Sequence, residues 1–500
     1  MSAPAPRDTR RTPSWPTLAA LAVTALWLAW NLGAGSLVDS DDALYAQMAR
    51  EAVASGDWLT FTYHGVPVFE KPPLALWALA ASQALLGEGE AALRLPALLA
   101  ALGLLGVAAS LTRRLAPGHA WAPALAVLVL GGSWTFTFHA RGSMTDPLFA
   151  LAGTGALLAA LLAREWPRLA WLPGWLLGLA ILTKWVMAVV FVPPIVLALL
   201  GPAAAPRLRV RQLLAPAAIA LAVPLPWVLH QTLTHGSAFW HDLGWYHVVH
   251  RARSPLVGEV GLVDAVANLF EREGPPALAW LAAIPVLIRR PLLAAWAACA
   301  LAPFLLAATH LLHYVLPALA ALAVAAGLGL GKALGRVGPA GVLLVAALGA
   351  RSTAPLVLHP DFSPDEKRFG AEVRALGEQV GPALVYDAHD VAISWYAGRP
   401  FRLLCRDPKL HGILKDIPIL ARPALVLPPE ASLATLAATD RPMALLVPLP
   451  FRERFEAEAA AAGLTWTWEP GRRYALALAS TRADRSAGPP PDRPRGPDGP

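Results

Sequence analysis

Acidic residues that could take part in catalysis lie at the end of a long apolar run. The stretch DSDDALYAQMAR, residues 39–50, places Asp41 and Asp42 directly after the first such run. An Asp pair at a helix start ordinarily caps free backbone N–H groups and suits the helix dipole. The alternative is a reaction site held at a membrane surface. Asp39 is predicted to be a solvated acid.

Other charged residues follow the same boundary pattern. FEKPPLALW places Glu70 and Lys71 before a Pro-Pro pair that favours extended backbone, and ARGSMTDP contains Arg141 and Asp146. Lys184 separates two further apolar runs. Snorkelling of Lys71 and capping by Asp146 are the simpler alternatives. Charges so near hydrocarbon are costly unless they face a cavity or a partner. Their convergence on one side of the membrane therefore predicts a polar pocket.

The composition is that of a membrane protein. The 500 residues are 56% hydrophobic and 15% charged, with a mean hydropathy of +0.49. Soluble domains contain about 25% charged residues. The net charge of +7 comes from arginines scattered between apolar runs, which indicates cytoplasmic anchors rather than a nucleic-acid surface. Two cysteines, one in an apolar run, imply no disulfide framework.

Apolar runs long enough to cross a membrane predict eleven spans. They lie at 17–35, 91–111, 119–138, 147–163, 168–183, 185–200, 213–231, 275–288, 291–309, 314–331 and 338–357. Basic residues occur at every second boundary, which predicts a cytoplasmic N-terminus. They are Arg7, Arg10, Arg11, Arg113, Arg114, Arg164, Arg168, Arg207, Arg209, Arg211, Arg289, Arg290, Lys332 and Arg336.

The opposite side receives two long loops and everything after the last span. The first loop, 36–90, contains a predicted interfacial helix at 42–55, and the second loop is 232–274. SPDE at 363–366 resembles a capping box and predicts a helix to about Val380. The domains are predicted at 1–16 (cytoplasmic tail), 17–357 (membrane domain), 358–483 (small extracytoplasmic α/β domain) and 484–500 (disordered, Pro-rich tail).

The first predicted outer loop resembles that of glycosyltransferase family 39. This family includes protein O-mannosyltransferases and bacterial aminoarabinose transferases that act on lipid A. The matching motifs are Asp41-Asp42, Tyr45, Ala49-Arg50-Glu51, Ser55-Gly56-Asp57-Trp58, Glu70-Lys71-Pro72-Pro73 and Arg94-Leu95-Pro96. The later segments SMTDPLFAL, GLAILTKW, FWHDLGWYHVVHR and HLLHYVLPALAALA follow in the family's order. The resemblance covers about residues 17–330.

The resemblance implies a polytopic α-helical membrane protein of the GT-C type, with about 11–13 transmembrane helices. It implies transfer of a sugar from a polyprenyl-phosphate donor to a glycolipid, glycan or protein hydroxyl, with inversion at the anomeric carbon expected. The reaction would occur at the outer face of a bacterial inner membrane. Membrane lipids are expected partners, no nucleic acid is expected, and no cofactor is required, although a divalent metal remains an alternative.

Roles are assigned to eleven residues on this basis. The catalytic candidates are Asp41, as general base or as a carboxylate that orients the acceptor, and Asp146, which could orient the acceptor, share the role of base or bind a metal. The candidates for binding the donor phosphate are Lys71, Arg141 and Lys184. The candidates for binding or orienting substrate are Asp42, Tyr45, Glu70, His247, His313 and Tyr314.

The sequence departs from the family at three points. The acidic pair is Asp41-Asp42 rather than Asp-Glu, histidines occupy a turn that often carries a cation, and Trp185 replaces a glycine after Lys184. A zinc site with His247 and Asp242 is one alternative. A transporter is the main alternative function, but we find no internal repeat, and the acids lie at span ends rather than at the midplane. A non-catalytic lipid-binding protein with the same fold is a third possibility.

Overall fold

The computed structural model describes residues 14–38, 40–200, 213–254, 261–308, 310–334, 338–408, 410, 425–428, 430–437 and 441–481. Several predicted features lie outside these residues: Asp39, the basic residues Arg7, Arg10, Arg11, Arg207, Arg209, Arg211 and Arg336, and the tail 484–500. The chain divides into two compact units, Met1–Phe362 and Ser363–Pro500.

The first unit is almost entirely helical, as its apolar runs predict. Its helices are α1 (Trp15–Ala29), α2 (Asp41–Ser55), α3 (Leu74–Leu86), α4 (Glu90–Leu115), α5 (Ala122–Gly131), α6 (Trp134–Ala140), α7 (Asp146–Glu165), α8 (Leu172–Lys184), α9 (Val192–Leu200), α10 (Leu214–Ala222), α11 (Leu225–His235), α12 (Ser237–Trp240), α13 (Arg251–Arg253), α14 (Leu262–Glu273), α15 (Ile284–Arg289), α16 (Pro291–Leu306), α17 (Leu316–Leu334) and α18 (Pro339–Leu358). Among the described residues of this unit, four 3₁₀ segments and one π-helix join them: the 3₁₀ segments are Pro167–Leu169, Trp185–Phe191, Pro275–Ala283 and Leu312–Val315, and the π-helix is His241–His250.

Each of the eleven predicted apolar runs lies on helices. Five helical stretches in the described part are long and apolar enough to cross a membrane: Glu90–Leu115, Asp146–Glu165, Pro167–Leu200, Leu312–Ala333 and Pro339–Leu358. Two bent pairs, α5 with α6 and α10 with α11, raise this number to seven. Of the four apolar helices of 10–17 residues, Trp15–Ala29, Pro275–Arg289 and Pro291–Leu306 lie on the three remaining runs, and Leu74–Leu86 lies in the predicted first outer loop. Any further crossings therefore stay a prediction.

Helices α4, α7 and α9 end on the same side of the first unit. Arg114 near the end of α4 pairs with Glu165 at the end of α7, with 2.7 Å between guanidinium and carboxylate. Arg164 donates to the carbonyl of Ala198 near the end of α9. We call this side the Arg114 end, and the side where α7 begins the Asp146 end. The basic residues Arg114 and Arg164 thus share one end, as the charge pattern predicts.

The chain reverses direction between Lys184 and Trp185. The Lys184 ammonium lies 2.7 Å from Asp146 at the start of α7, whereas Phe191 packs against Gly153, one third of the way along α7. The contact of Arg164 with Ala198 continues this return path. The runs 168–183 and 185–200 are therefore two antiparallel segments. Trp185 takes φ +47° at the turn, a conformation that favours glycine.

A second break separates α5 from α6, which meet at a bend of 70° after Gly131. The break frees backbone N–H groups that hydrocarbon cannot satisfy. The buried Glu273 carboxylate accepts them from Trp134 and Thr135 and also binds the Ser133 hydroxyl, each at 3.0 Å. Burial raises the pKa of Glu273, while these hydrogen bonds lower it and offset part of the shift. One carboxylate from α14 thereby fixes the start of α6.

The core of the first unit lies where α4, α5, α7 and α17 pack together. Its buried side chains are mainly Leu, Ala and Val, with the larger Phe136, Phe149, Phe191 and Trp296. Small residues permit close helix approach in a membrane protein, where van der Waals packing drives association. At Gly327 of α17, an added Cβ would lie 2.7 Å from the Ala122 carbonyl of α5.

Outside this core, α2 begins at Asp41, one residue before the predicted interfacial helix. Four of its predicted apolar residues are buried: Tyr45, Met48, Ala49 and Ala52. Val53 is exposed, because it lies at the solvent-facing end of the helix. A short hairpin of β1 (Thr62–Tyr63) and β2 (Val66–Pro67) completes this loop.

The second unit contains a six-stranded mixed sheet. The strands are β3 (Ala383–Tyr386), β4 (Arg402–Leu404), β5 (Val426–Leu427), β6 (Met443–Pro448), β7 (Leu464–Pro470) and β8 (Tyr474–Thr481), in the order β5-β4-β3-β6-β8-β7. β3 to β6 pair in parallel, and β8 pairs antiparallel with β6 and β7. The helices are Pro364–Leu376, Ala392–Ala397, Leu433–Leu436 and Arg452–Ala461.

The apolar runs ALVYDA, ALVLP, ALLVPL and YALALAS predict four of these strands, β3, β5, β6 and β8, whereas β4 and β7 were not predicted. The helix predicted after SPDE is present and ends at Leu376, followed by a 3₁₀ turn. The capping box is wrong in detail, because the N-cap residue Ser363 makes no side-chain capping hydrogen bond. β4 has only three residues, and the alternating TWTWE of β7 was not recognised as a strand.

Candidate active site

Charged residues from five segments meet at the Asp146 end of the first unit. Asp41 and Tyr45 come from α2, and Glu70 and Lys71 from the loop before α3. Asp146 begins α7 and Lys184 ends α8, whereas Arg251 begins α13 after the π-helix. We call Asp41, Glu70, Lys71, Asp146, Lys184 and Arg251 the reactive cluster. Three carboxylates and three cations give it no net charge.

Asp41 is the carboxylate of the cluster whose pKa is raised. Burial is the main cause, and the negative charge of Glu70 adds to it. The cations Lys71, Arg251 and Lys184 act in the opposite direction. The Tyr45 hydroxyl donates to Asp41 at 3.3 Å, and burial together with the Asp41 charge raises the pKa of Tyr45 well above its usual value. A carboxylate with a raised pKa is a stronger base, as proton removal requires.

Glu70 lies between two cations. Its carboxylate forms an ion pair with the adjacent Lys71 and a longer one, 3.8 Å, with Arg251. Burial alone would raise the pKa of Glu70, but Lys71, His247 and Arg251 hold it well below its usual range. Glu70 is thus ionised and pairs with both cations beside Asp41.

Asp146 and Lys184 form a buried ion pair of 2.7 Å. The sequence predicted Asp146 as a possible cap of α7, but its carboxylate bonds to Lys184, and the N-cap residue is Thr145. His313 lies next to this pair, and its ring centroid is 6.0 Å from that of His139. A cavity of about 10 Å³, lined also by Tyr314, adjoins Asp146 and Lys184. Such a cavity has room for roughly one water molecule.

The π-helix orients His247 and Arg251. His247 Nε2 lies 3.1 Å from the Asp242 carboxylate, and Asp242 also accepts from the Phe69 backbone N–H at 3.2 Å. Arg251 lies 3.4 Å from His247 Nδ1. Because Arg251 can only donate, Nδ1 accepts and Nε2 carries the proton that binds Asp242. His247 thus lies between Asp242 and Arg251 and positions Arg251 beside Glu70.

Two predicted site residues, Asp42 and Arg141, bind backbone groups rather than members of the reactive cluster. Asp42 accepts backbone N–H groups of Val38, at 2.9 Å, and Ser143, so it joins two loops. The Arg141 guanidinium donates to four backbone carbonyls, those of Leu28, Trp30, Asn31 and Leu356. Burial lowers the pKa of Arg141 to about 10. We therefore revise both predicted roles, substrate orientation for Asp42 and phosphate binding for Arg141, to structural ones.

Sequence reasoning missed Arg251 and treated Asp242 only as a possible zinc ligand. Arg251 is the last residue of the segment FWHDLGWYHVVHR, which contained the signal. The histidines of this segment suggested metal ligands instead. Among the described residues, no group of three or more His, Cys, Asp or Glu side chains could hold a metal ion. The zinc alternative therefore has no support here.

The chain is similar to known proteins in both sequence and fold. Residues 70–230 match the sequence model of the family described as dolichyl-phosphate-mannose-protein mannosyltransferase. The match includes Glu70, Lys71, Asp146 and Lys184, whereas Asp41 and Arg251 lie outside it. The predicted resemblance to glycosyltransferase family 39 is confirmed.

Two relatives are undecaprenyl phosphate-alpha-4-amino-4-deoxy-L-arabinose arabinosyl transferases. The protein from Edwardsiella ictaluri is 31% identical over 252 residues, which are 48% of this chain and 44% of that protein. The protein from Sodalis glossinidius, transferase 1, is 31% identical over 311 residues, 57% of this chain and 53% of that protein. The chain thus spans about half the length of the curated relatives it matches.

The fold matches a solved structure almost throughout. ArnT from Cupriavidus metallidurans, crystallised with undecaprenyl phosphate, aligns with a TM-score of 0.72 and 20% identity. The alignment covers 95% of this chain and 98% of ArnT. The predicted fold class is confirmed: the chain is a multi-pass α-helical membrane protein of the GT-C type with a small C-terminal α/β unit.

Proposed function

We propose that this protein is a membrane glycosyltransferase that moves a sugar from a polyprenyl-phosphate donor to an acceptor. The observation that carries the proposal is the reactive cluster, which places a basic carboxylate, Asp41, beside Lys71 and Arg251 at one end of the membrane helices. A lipid-linked donor and a polar acceptor can meet only at such a boundary. The transporter alternative finds no counterpart among the relatives above.

The donor and acceptor classes follow from the relatives by analogy. Undecaprenyl phosphate is the lipid in the ArnT crystal, and aminoarabinose is the sugar in the names of the two transferases. We propose the same donor class for this chain. Lipid A is the favoured acceptor from the family resemblance, ahead of another glycan or a protein hydroxyl.

The proposed reaction is a direct displacement. An acceptor oxygen attacks the anomeric carbon, the bond from that carbon to the donor phosphate oxygen breaks, and polyprenyl phosphate leaves with the electron pair. Asp41 accepts the proton of the acceptor hydroxyl. Lys71 and Arg251 stabilise the negative charge that develops on the leaving phosphate. Attack opposite the leaving group inverts the anomeric configuration.

The other residues support these groups. Asp146 is ion-paired with Lys184, which makes it a weaker base than Asp41, so we assign it to orienting the acceptor and holding Lys184. His247 positions Arg251, and Tyr45 orients Asp41. Tyr314 and His313 lie where they can contact donor groups beside Asp146. No step requires a metal ion.

We further propose that the N-terminus is cytoplasmic in a bacterial inner membrane. The Arg114 end would then face the cytoplasm, because short basic loops stay on that side. The Asp146 end, and with it the reaction, would face the periplasm, and the C-terminal unit would lie on that side as well.

A transfer assay with purified full-length protein tests the function. Labelled undecaprenyl-phosphate sugars and lipid A are supplied in detergent, and the labelled lipid A that forms is detected by mass spectrometry. We expect transfer by the wild type, and a rise in donor KM with a fall in kcat for Arg251→Gln. Arg289→Gln, at the end of α15 and outside the cluster, serves as the matched control and should transfer normally.

Two results would overturn the proposal. One is the absence of transfer from every polyprenyl-phosphate sugar to lipid A, envelope glycans and envelope proteins. The other is full activity of Arg251→Gln, Lys71→Gln and Asp41→Asn, which would place the chemistry elsewhere. Comparing envelope glycolipids and glycoproteins of cells with and without the protein identifies sugar and acceptor together.

A further inference from the structure

A second polar cavity lies in the first unit, apart from the reactive cluster. Its volume is about 490 Å³, and the end of α14, the start of α6 and the middle of α18 line it. Arg272, Glu271 and Asn268 come from α14, and Arg351 and Ser352 from α18. The lining carries two guanidinium groups against one carboxylate, so it attracts anions.

Arg351 is the most informative residue of this lining. It lies inside the apolar helix α18, seven residues before Leu358, which is roughly 10 Å from the helix end. An arginine at this depth is costly unless it faces a cavity or an opposite charge. In the described part of the chain, its guanidinium makes no hydrogen bond or ion pair with the protein, and the side chain is exposed where it lines this cavity. The cavity is therefore what the charge faces.

Arg272 is held over the same cavity. Its guanidinium carbon lies 5.0 Å from the centroid of the Trp134 ring, a cation–π contact. Trp134 in turn stacks on Phe138, with centroids 5.0 Å apart and planes within 9°. A ring face accepts charge without using the N–H donors of Arg272. In the described part of the chain these donors have no protein acceptor, so they are available to a ligand.

The cavity wall is rigid. The buried Glu273 carboxylate binds the start of α6, and its carbonyl accepts the Ser352 hydroxyl of α18 at 2.9 Å. These bonds tie together the three helices that surround the cavity. Preorganised walls lower the entropy that a ligand would lose on binding.

We propose that this cavity binds the phosphomonoester group of a membrane lipid. Two guanidinium groups match the oxygens of one phosphate through paired N–H donors, and a phosphomonoester carries nearly two negative charges near neutral pH. Basic pockets between membrane helices commonly bind phosphorylated headgroups. The site is independent of the transfer reaction, since it shares no residue with the reactive cluster.

Native mass spectrometry of the full-length protein in detergent tests this site. The probes are phosphatidic acid, phosphatidylcholine and inorganic phosphate. We expect the double variant Arg272→Gln/Arg351→Gln to hold one phosphatidic acid fewer per chain than the wild type, with retention about tenfold weaker, or about 1.4 kcal/mol. Phosphatidylcholine, which has a zwitterionic phosphodiester, should show no such difference.

Matched variants and phosphate separate the outcomes. Arg289→Gln/Arg290→Gln removes the same charge elsewhere and should keep the wild-type lipid count. The single variant Arg351→Gln provides a second test if the double variant does not fold. Excess inorganic phosphate should not displace the lipid; full displacement would assign the cavity to free phosphate. An unchanged phosphatidic acid count in both Arg351 variants would overturn the proposal.

Discussion

Two sets of charged side chains occupy the same end of the first unit, yet their partners differ. Those of the anchoring set, Asp42, Glu51, Arg94 and Arg141, bind mainly to backbone groups of neighbouring loops. Arg94 donates to the carbonyls of Leu32, Ala34 and Ser36 at 2.6–2.8 Å. Glu51 accepts from the Thr62 hydroxyl and from the backbone N–H groups of His64 and Gly65 in the β1–β2 hairpin. The reactive cluster instead pairs charge with charge.

This difference distinguishes residues that hold the structure together from residues that can take part in the reaction, within one family motif. A charge satisfied by backbone groups holds loops in place, and its loss leaves buried carbonyls or N–H groups without partners. A charge that faces other charges in a buried site can change protonation or bind a charged substrate. Residues of both kinds occur side by side, as Asp41 and Asp42 illustrate.

Asp41 and Asp42 give the largest predicted contrast. Asp41→Asn removes the proposed base and should lower the transfer rate about 10²–10⁴-fold, with little change in thermal stability. Asp42→Asn keeps one acceptor oxygen, so we expect a loss of about 1–3 kcal/mol in stability and normal activity per folded molecule. Transfer assays and thermal unfolding in detergent measure both. Equal activities for the two variants would contradict the assignment of Asp41 as the base and Asp42 as a structural residue.

Arg94 tests the anchoring set alone. Arg94→Ala leaves three carbonyls, one buried and two partly buried, without their donor and should cost about 2–4 kcal/mol of folding stability. The matched change Arg50→Ala removes a partly exposed ion pair with Glu88 and should cost less than about 1 kcal/mol. Thermal unfolding of the two variants in one detergent gives the comparison. A larger loss in Arg50→Ala would contradict it.

The pH dependence tests the electrostatic coupling of Asp41 and Glu70. The pKa of Asp41 is raised, so Asp41 gains its proton at a higher pH than an ordinary Asp does. On acidification, the transfer rate should therefore begin to fall at a higher pH. Glu70→Gln removes a negative charge that raises this pKa, so the acidic limb should move to lower pH, although the maximum rate also falls. The pH profile of kcat/KM measures this. Movement to higher pH would show that Asp41 is not the titrating base.

The smallest expected effect concerns the reversal after Lys184. Trp185→Gly and Trp185→Ala both remove the indole ring, which contacts Trp240, but only glycine adopts φ +47° without strain. Trp185→Gly should therefore be about 1 kcal/mol more stable than Trp185→Ala. Thermal unfolding of the pair decides this. An alanine variant of equal or higher stability would mean that the turn relaxes.

Apolar periodicity and length predicted the helical architecture well, because burial in a membrane demands long apolar runs whatever their partners. The same reasoning placed Asp41, Lys71, Asp146 and Lys184 near one another. It did not distinguish Arg141 from Lys71, since both are cations at an outer boundary. Only the folded chain shows that carbonyls from α1 and α18 surround Arg141.

Arg251 and the bend before α6 escaped prediction for related reasons. Arg251 follows a π-helix, and no simple periodicity in a sequence marks a turn of that kind. The bend at Gly131 depends on Glu273, which lies far along the chain and satisfies N–H groups that the break exposes. Both features arise from contacts between distant residues.

The π-helix His241–His250 also limits how this protein can change in length. Surface loops usually tolerate insertions and deletions, but π-helical turns are rare and concentrate at functional sites. Here the wide turns determine the direction in which Arg251 emerges beside Glu70. Deletion of one residue would rotate the residues that follow about the helix axis and turn the Arg251 guanidinium away from Glu70. The segment is therefore a fixed spacer, in which the number of residues matters as much as their identity.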